Sequence, residues 1–235
     1  MIRWSGGAPS FVIVGMVMAL CALIRPAAAV AQTGEFGALF EALKDGLYTV
    51  EVVDRASGNK NAQGSGFRVD AGGVLATNYH VVSEYVLDPE RYSLRFRNVG
   101  GETGPLDVLA LDVLHDLALV RFSEPDPVRR ERATVFDLAD DSPRNGATLL
   151  ALGNPYDIGL SLVPGTYNGM LENQYRKLIH FTGALNPGMS GGPAVDVRGQ
   201  VVGINVAGAG NSVSFLVPVS NLSRLIERAP TEPRP

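Results

Sequence analysis

The sequence predicts an all-β fold in a single domain. The chain has 235 residues, of which 27 are glycine and 15 are proline, and most of its apolar residues fall in short runs. Short apolar runs bounded by glycine, proline and polar residues are typical of β-sandwiches and barrels. About 200 residues remain once an amino-terminal segment is set aside, which is ample for one domain with its own core.

That amino-terminal segment, residues 1–31, has the three parts of a secretory signal peptide. Arg3 precedes an apolar stretch from Phe11 to Ile24, and the segment ends in Ala29-Val30-Ala31. We expect cleavage after Ala31, because the apolar stretch is shorter than the roughly 20 residues that a membrane span needs. The alternative is a segment that is kept as a membrane anchor.

Cysteine usage supports export without disulfides. Cys21 is the only cysteine and lies inside the segment that we expect to be removed. An exported protein without disulfides must rely on its hydrophobic core, which suits a bacterial envelope protein. We therefore expect secretion across the inner membrane, to the periplasm or the extracellular space.

Charge and composition argue against several kinds of partner. Loss of residues 1–31 leaves 18 of the 20 basic residues against all 24 acidic ones, a formal net charge of −6. An acidic chain is a poor match for nucleic acid, whose phosphates require a basic face. No histidine pair has metal-ligand spacing and no glycine-rich phosphate loop precedes a helix, so the sequence implies no cofactor, metal or nucleotide.

Two short helices are expected around the β-rich region. Residues 36–43 place their apolar side chains on one helical face, namely Phe36, Leu39, Phe40 and Leu43. Ser220 is expected to cap a final helix that ends before Pro230 and packs Leu222, Leu225 and Ile226 inward. Residues 229–235 are expected to form a disordered tail.

A histidine follows directly on a predicted β-hairpin. Apolar runs around Phe67 and Leu75 are separated by Asp70-Ala71-Gly72-Gly73, which predicts a glycine-containing turn. His80 comes just after the second run, where a scaffold can hold an imidazole rigidly. Most histidines in such a position merely end a strand, but the surrounding sequence favours a general base here.

Asp116 is the expected carboxylate partner of that base. It leads directly into the apolar run Leu117–Phe122, so we expect it to be shielded from water at the start of a strand. A shielded carboxylate can fix the imidazole tautomer and stabilise the imidazolium. Asp112 and Asp107 are the competing acids. His115 is expected to be a loop neighbour, and His180 to point off a strand.

The most informative stretch is residues 186–193, NPGMSGGP, which places Ser190 among glycines. Gly188 and Gly191 allow backbone angles that other residues reach only with strain. The N–H groups of Gly188 and Ser190 are the candidate oxyanion hole, which would receive the charge formed when Ser190 attacks a carbonyl. An ordinary glycine-rich turn around a serine is the alternative for this motif taken alone.

The order of the candidate residues decides between two kinds of serine hydrolase. In the α/β-hydrolase fold the acid and the histidine follow the serine, and a helix begins directly after it. No histidine follows Ser190, and the sequence Gly191-Gly192-Pro193 disfavours a helix. The remaining order is histidine, aspartate, serine, as in the chymotrypsin-type triad.

These segments together resemble the trypsin-like serine proteases, and within them the HtrA/DegP-like bacterial branch. The resemblance covers about residues 48–227 and rests on GSGF at 64–67, ATNYHVV at 76–82, DLALV at 116–120, ALGNPY at 151–156, LNPGMSGGP at 185–193 and FLVP at 215–218. It implies two six-stranded antiparallel β-barrels of the chymotrypsin type, at about 32–135 and 136–228, with a short carboxy-terminal helix and with the triad in the cleft between the barrels.

The resemblance also implies the residues that contact substrate. Asn205, Val206 and Ala207 lie where substrate backbone would pair as an added strand, just before a hairpin turn at 208–211. Ala184, six residues before the nucleophile, corresponds to the floor of the primary specificity pocket. Trypsin-type enzymes carry an aspartate there, whereas Ala184 has no charge, so we expect cleavage after small or medium apolar residues.

Two departures from the family pattern are visible. Met189 stands where trypsin-type enzymes have an acidic residue, which pairs with a freshly cut amino terminus to order the oxyanion loop. The sequence does not indicate how that loop is ordered here. The region after residue 228 is too short for the PDZ domain that many HtrA-like proteins carry.

Two functions follow as hypotheses. The first is a secreted serine endopeptidase that cuts unfolded polypeptide through His80, Asp116, Ser190 and an acyl-enzyme intermediate. The second is a catalytically silent relative that binds polypeptide in the same cleft. An intact set of three triad residues favours the first.

Overall fold

The computed structural model describes residues 27–124, 134–172, 176–208 and 213–230. A short amino-terminal unit ends at Ala38, and both β-barrels belong to the second unit, residues 39–235. Most of the predicted signal segment and the tail beyond residue 230 lie outside the described residues. Among the residues that are described, no helix has both the length and the apolar character needed to cross a membrane.

The first barrel is closed by six antiparallel strands in the order β1-β2-β3-β6-β5-β4. Its strands are β1 Leu47–Asp54, β2 Lys60–Arg68, β3 Val74–Thr77, β4 Tyr92–Arg97, β5 Thr103–Asp112 and β6 Leu117–Phe122. The core contains three aromatic rings, Tyr48, Phe96 and Phe122, packed edge to face at centroid distances of 4.8 to 5.8 Å. These buried rings pack together the strands of the barrel, between which the predicted base and acid lie on connecting segments.

The second barrel is closed in the same way, in the order β10-β11-β12-β9-β8-β7. Its strands are β7 Thr148–Gly153, β8 Ser161–Glu172, β9 Lys177–Phe181, β10 Pro193–Val195, β11 Val201–Gly208 and β12 Ser214–Pro218. Residues 182–192, which contain Ser190, connect β9 to β10. The prediction of two six-stranded antiparallel barrels is confirmed.

The predicted hairpin before His80 is confirmed, because β2 pairs antiparallel with β3. Asp70 closes the turn by accepting the Val74 N–H at 2.8 Å, and Gly73 takes a positive φ of 93°. Arg68 is fully buried and donates hydrogen bonds to the carbonyls of Asp70 and Ala71. The buried guanidinium satisfies turn carbonyls that would otherwise lack partners.

Three α-helices complete the described part: α1 Ala27–Leu43, α2 Tyr79–Leu87 and α3 Val219–Arg228. The helix predicted at 36–43 is the last part of α1, which begins earlier, at Ala27 and thus before the expected cleavage site. In α3, Leu222 and Leu225 are buried as predicted.

The cap predicted for α3 is wrong. Pro218 occupies the N-cap position and no side chain caps the helix. Ser220 lies inside the first turn because β12 runs directly into the helix at Pro218. The fixed φ of proline, here −58°, makes the change from strand to helix without a capping hydroxyl.

Candidate active site

His80 and Asp116 form a pair with two hydrogen bonds. The His80 Nδ1 lies 2.7 Å from Asp116 Oδ2, and the His80 backbone N–H donates to Asp116 Oδ1 at 2.9 Å. The imidazole is half exposed while the carboxylate is only 13% exposed. With Nδ1–H donating to the carboxylate, Nε2 carries the lone pair, which is the tautomer that a general base requires.

The backbone around Asp116 is fixed by a residue that the sequence analysis did not single out. Asp116 adopts a left-handed conformation with φ of 56°, in the turn between β5 and β6. Aspartate is one of the few non-glycine residues that enter this region readily. Asn78, the fully buried N-cap residue of α2, donates its side-chain N–H to Asp116 O at 2.8 Å. α2 therefore carries His80 and, through its N-cap residue, also positions Asp116.

The two competing carboxylates lie elsewhere. Asp112 Oδ2 is 2.7 Å from His115 Nδ1, and Asp112 Oδ1 accepts the His115 backbone N–H at 3.0 Å. Asp107 lies opposite Arg121 in the β5–β6 register. His180 lies on β9, and its Nε2 is buried without a hydrogen-bond partner among the described residues. Asp116 is therefore the carboxylate that contacts His80.

Ser190 belongs to the second barrel but is packed against the first. Its carbonyl accepts the Ser65 N–H from β2 at 2.7 Å. The next residue, Gly191, lies so close to Thr77 and Asn78 that a side chain there would collide with them. The loop that carries Ser190 therefore lies beside the residues that lead into His80.

The Ser190 hydroxyl is not bonded to His80 in this structure. Its Oγ donates to the Val206 carbonyl at 2.8 Å, and within the described residues it makes no hydrogen bond to the imidazole. Catalytic hydrogen bonds are often long or poorly aligned without substrate. Proton transfer from Ser190 to His80 would require the hydroxyl to give up its hydrogen bond to Val206 O.

One candidate oxyanion donor is oriented through the carbonyl of the preceding residue. In a trans peptide the N–H points opposite to that carbonyl, and the described residues contain no cis peptide bond. Pro187 O accepts the Tyr156 N–H at 2.8 Å, which sets the direction of the Gly188 N–H. The Gly188 N–H itself donates to no described residue. It is therefore free for a ligand.

The second candidate donor is oriented in the same way. Met189 O accepts hydrogen bonds from the Gly192 N–H at 3.1 Å and from the Asn205 side chain at 3.3 Å. The Ser190 N–H points away from these two donors and has no partner among the described residues. Within the described part of the chain, the Gly188 and Ser190 N–H groups are thus both without a partner, and their use as oxyanion donors stays a prediction.

Asn205 supports the loop that carries Ser190. It is fully buried, its N–H donates to Gly192 O at 2.9 Å, and its carbonyl accepts the Gly191 N–H at 2.9 Å. Its contact with a substrate strand stays a prediction. Val206 and Ala207, further along β11, stay predictions.

Ala184, the predicted floor of the specificity pocket, is exposed. The next residue, Leu185, is partly buried against the core of the second barrel, and its N–H donates to Ser214 Oγ at 3.3 Å. The assignment of Ala184 to the pocket stays a prediction.

Met189 is fully buried in the apolar core of the second barrel. Its neighbours there include Ala151, Phe181 and Leu216. An acidic residue at this position would need a buried cation as partner, whereas methionine gains from burial. The loop that contains the candidate oxyanion donors therefore cannot be ordered by an ion pair at position 189.

Residues 154–159, here called the support loop, contact residues 186–188, directly and through Ser65. Asn154 N donates to Ser65 Oγ at 3.0 Å, and Ser65 Oγ in turn donates to Gly188 O at 2.7 Å. Tyr156 OH donates to Asn186 Oδ1 at 3.3 Å. The segment ALGNPY at 151–156 contributed to the family resemblance, but its sequence did not indicate these contacts.

The support loop is bound to the first barrel by charges. Asp157 pairs with both Lys60 and Arg97. Burial raises the pKa of Asp157, but the hydrogen bonds from Lys60 and Arg97 outweigh it and hold the pKa at about 2. Glu51 is 1% exposed and contacts the same two cations, as well as Arg95 at 2.7 Å. We call these five residues the ion cluster.

Comparison with known proteins identifies the family of this chain. The trypsin-like peptidase domain matches residues 64–204, more than half of the chain. The probable periplasmic serine endoprotease DegP-like of Brucella suis is 30% identical over 176 residues, which are 71% of this chain and 33% of that protein. Protease Do-like 1, chloroplastic, of Arabidopsis thaliana is 28% identical over 200 residues, which are 80% of this chain and 43% of that protein.

Solved structures have the same fold. The structure of Deg5 matches with a TM-score of 0.69 and 24% identity, covering 82% of this chain and 92% of that one. A serine endoprotease from Yersinia pestis matches with a TM-score of 0.67 and 21% identity, covering 81% and 64%. The predicted resemblance to trypsin-like, HtrA-type proteins is confirmed, although the chain spans only about a third of the length of the Brucella relative.

Proposed function

The chain belongs to the trypsin-like peptidase family, and we propose that it is a serine endopeptidase in which Ser190 is the nucleophile, His80 the general base and Asp116 the carboxylate that orients His80. The observation that carries the proposal is the pair of hydrogen bonds between His80 and Asp116, beside a serine whose neighbouring N–H groups are free. Fixed donors and an oriented base are the two features that acyl transfer requires.

The proposed chemistry follows from these contacts. The Ser190 hydroxyl turns from the Val206 carbonyl towards His80 Nε2, gives up its proton there and attacks the scissile carbonyl carbon. Asp116 stabilises the imidazolium that results, without taking the proton itself. The carbonyl oxygen becomes an oxyanion that accepts from the Gly188 and Ser190 N–H groups. The imidazolium then protonates the leaving amine, and water releases the acyl-enzyme by the same steps.

The substrate is proposed to be extended or unfolded polypeptide, with a small or medium apolar residue before the cut. Exposed Ala184 and partly buried Leu185 carry no charge, so a lysine or arginine side chain would bind there without a partner at a cost of several kcal/mol. Polypeptide would pair along Val206 and Ala207. A peptide-library profile dominated by lysine or arginine before the cut would contradict this preference.

Export is proposed on sequence grounds and on the relatives' location. The DegP-like relatives of Brucella and Bartonella are named as periplasmic proteins, and residues 1–31 have signal-peptide features. Mature protein recovered from the envelope should begin near Gln32 and lack tryptophan fluorescence, since Trp4 is the only tryptophan. Trp4 in the mature protein would instead indicate a retained anchor.

The second candidate function, polypeptide binding without cleavage, is favoured by one observation. The Ser190 hydroxyl donates to Val206 O and not to His80. If that hydrogen bond persisted with substrate present, the serine would keep its proton and the cleft would only bind.

Labelling with a fluorophosphonate distinguishes the two candidates. The wild-type chain should be labelled, whereas Ser190→Ala and His80→Ala should not. Ser223→Ala is the matched control, because Ser223 lies on α3 and its hydroxyl donates to Val219 O within the same helix. Labelling that persists in Ser190→Ala would contradict the nucleophile assignment. Absence of labelling in a wild-type chain that still binds unfolded polypeptide would favour the second candidate.

A further inference from the structure

The residue that orients the Gly188 N–H, one of the two candidate oxyanion donors, lies outside the segment 186–193 that contains Ser190. Met189 is buried in apolar surroundings and supplies no charge. The loop formed by residues 186–189, here called the oxyanion loop, is instead contacted by the support loop at three points: Tyr156 N–H to Pro187 O, Tyr156 OH to Asn186 Oδ1, and Asn154 through Ser65 to Gly188 O.

The first of these contacts controls one oxyanion donor directly. The Gly188 N–H and Pro187 O belong to one peptide plane and point in opposite directions. Gly188 has φ of 96°, a region that glycine enters and leaves with little cost, so its own conformation does not fix that plane. If the plane turned over, the carbonyl would replace the N–H at the oxyanion site. The bond from Tyr156 holds the plane in the orientation that leaves the N–H free.

The support loop needs a partner to keep that bond. Tyr156 and Asp157 have φ of 53° and 59°, left-handed values that are uncommon in residues other than glycine. Such a conformation needs hydrogen bonds to hold it, and some of these come from within the loop, where the Asn154 side chain donates to Asp157 Oδ1 at 3.1 Å. Asp157 is bonded to Lys60 on β2 and Arg97 on β4, and fully buried Glu51 on β1 keeps both cations in position.

We propose that Asp157 is a positioning residue for the oxyanion hole, whose ion pairs with Lys60 and Arg97 hold Tyr156 against Pro187 and thereby direct the Gly188 N–H. The carboxylate that orders the oxyanion loop thus comes from a neighbouring loop and not from the residue before the nucleophile, and its cations come from the first barrel. This inference rests on the proposed function for its kinetic consequence, but not for its structural one.

Asp157→Asn tests the proposal, because it removes the charge and keeps the shape. The matched control is Asp54→Asn, which removes a carboxylate of the first barrel that pairs with Arg91 and, among the described residues, has no hydrogen bond or ion pair to the support loop. Peptide hydrolysis by Asp157→Asn should fall about 10- to 100-fold in kcat, with KM within about twofold, because a weakened oxyanion hole acts on the transition state. Asp54→Asn should keep both constants within about twofold.

Amide hydrogen exchange gives a second readout that does not need activity. The Tyr156 amide, which donates to Pro187 O, should exchange faster in Asp157→Asn than in the wild type, and should be unchanged in Asp54→Asn. Unchanged exchange in Asp157→Asn overturns the proposal, as does a change in KM alone or an equal loss of kcat in Asp54→Asn. A wild type without hydrolysis would overturn the proposed function, while the exchange result would still decide whether Asp157 orders the loop.

Discussion

Two aspartate–histidine pairs lie within a few residues of each other, and only one of them belongs to the proposed triad. In both, a carboxylate oxygen is 2.7 Å from an imidazole Nδ1 and the other oxygen accepts the histidine's backbone N–H. His80 and Asp116 come from separate elements 36 residues apart, beside Ser190. His115 and Asp112 are three residues apart in one turn, where a local hydrogen bond suffices to form the pair.

The difference shows that the geometry of the pair does not by itself make a site. Local pairs form wherever a short polar side chain can reach back to its own turn. The His80 pair requires the fold to bring α2 to the β5–β6 turn and to hold Asp116 through Asn78. What distinguishes it is the surrounding structure, namely an adjacent serine and free backbone donors.

The strongest test removes one histidine from each pair. We expect His80→Ala to abolish nearly all peptide hydrolysis, as Ser190→Ala does, with a loss of up to about 10⁶-fold in kcat, because triad members act as one unit. His115→Ala should stay within about threefold of the wild type. Measured kcat values that fall equally in both histidine variants would mean that the two pairs are not functionally distinct.

The next test removes the charge of each carboxylate. Asp116→Asn should fold normally and lose about 10⁴-fold in kcat, because the imidazole is then held in the wrong tautomer. Asp112→Asn should be nearly silent in the same assay, with a melting temperature close to that of the wild type. A large loss of kcat in Asp112→Asn together with an unchanged kcat in Asp116→Asn would contradict the assignment of Asp116 as the acid.

A smaller effect is expected from the residue that supports Asp116. Asn78→Ala removes the hydrogen bond to the Asp116 carbonyl and should lower kcat about tenfold, which corresponds to about 1.4 kcal/mol of transition-state stabilisation. Combining it with Asp116→Asn should add little further loss, since both changes act on the same pair. Full additivity in this double-mutant cycle would show that Asn78 acts on the fold and not through Asp116.

The smallest effect concerns acidic residues outside both pairs. Asp157 and Asp54 each have a pKa of about 2 in the folded chain, against an ordinary value of 3.8. Their stabilisation is therefore fully present above about pH 4 and is lost as the pH falls towards 2. The drop in urea midpoint between pH 6 and pH 3 should be smaller in Asp157→Asn and in Asp54→Asn than in the wild type. Equal drops in all three proteins would contradict the lowered pKa values.

The fold and family could be predicted because their signals are carried in short segments. The turn before His80, the apolar run after Asp116 and the glycines around Ser190 each have a local physical reason to be where they are. Glycine and short polar residues constrain the backbone within a few positions, so these segments keep a characteristic sequence. The two barrels of the chymotrypsin type were implied by the family resemblance that these segments carry.

The supporting contacts could not be predicted because they join residues far apart in sequence. Ser65 contacts Asn154 across 89 positions, and Arg97 contacts Asp157 across 60. The exposure of Ala184 and the burial of Asn205 could not be predicted for a related reason. In irregular loops and bulged strands, such as β11 between Asn205 and Ala207, alternation no longer determines which way a residue faces.

The division of the candidate site between the two barrels has a consequence for the order of folding. His80 and Asp116 come from the first barrel, Ser190 and its free donors from the second, and the ion cluster joins the two. An intermediate with one folded barrel holds a base without a nucleophile, or a nucleophile without a base. On the proposed assignment, a chain that has just crossed a membrane cannot cut itself or its neighbours until both halves have docked. Cleavage competence would then appear only with the last step of folding.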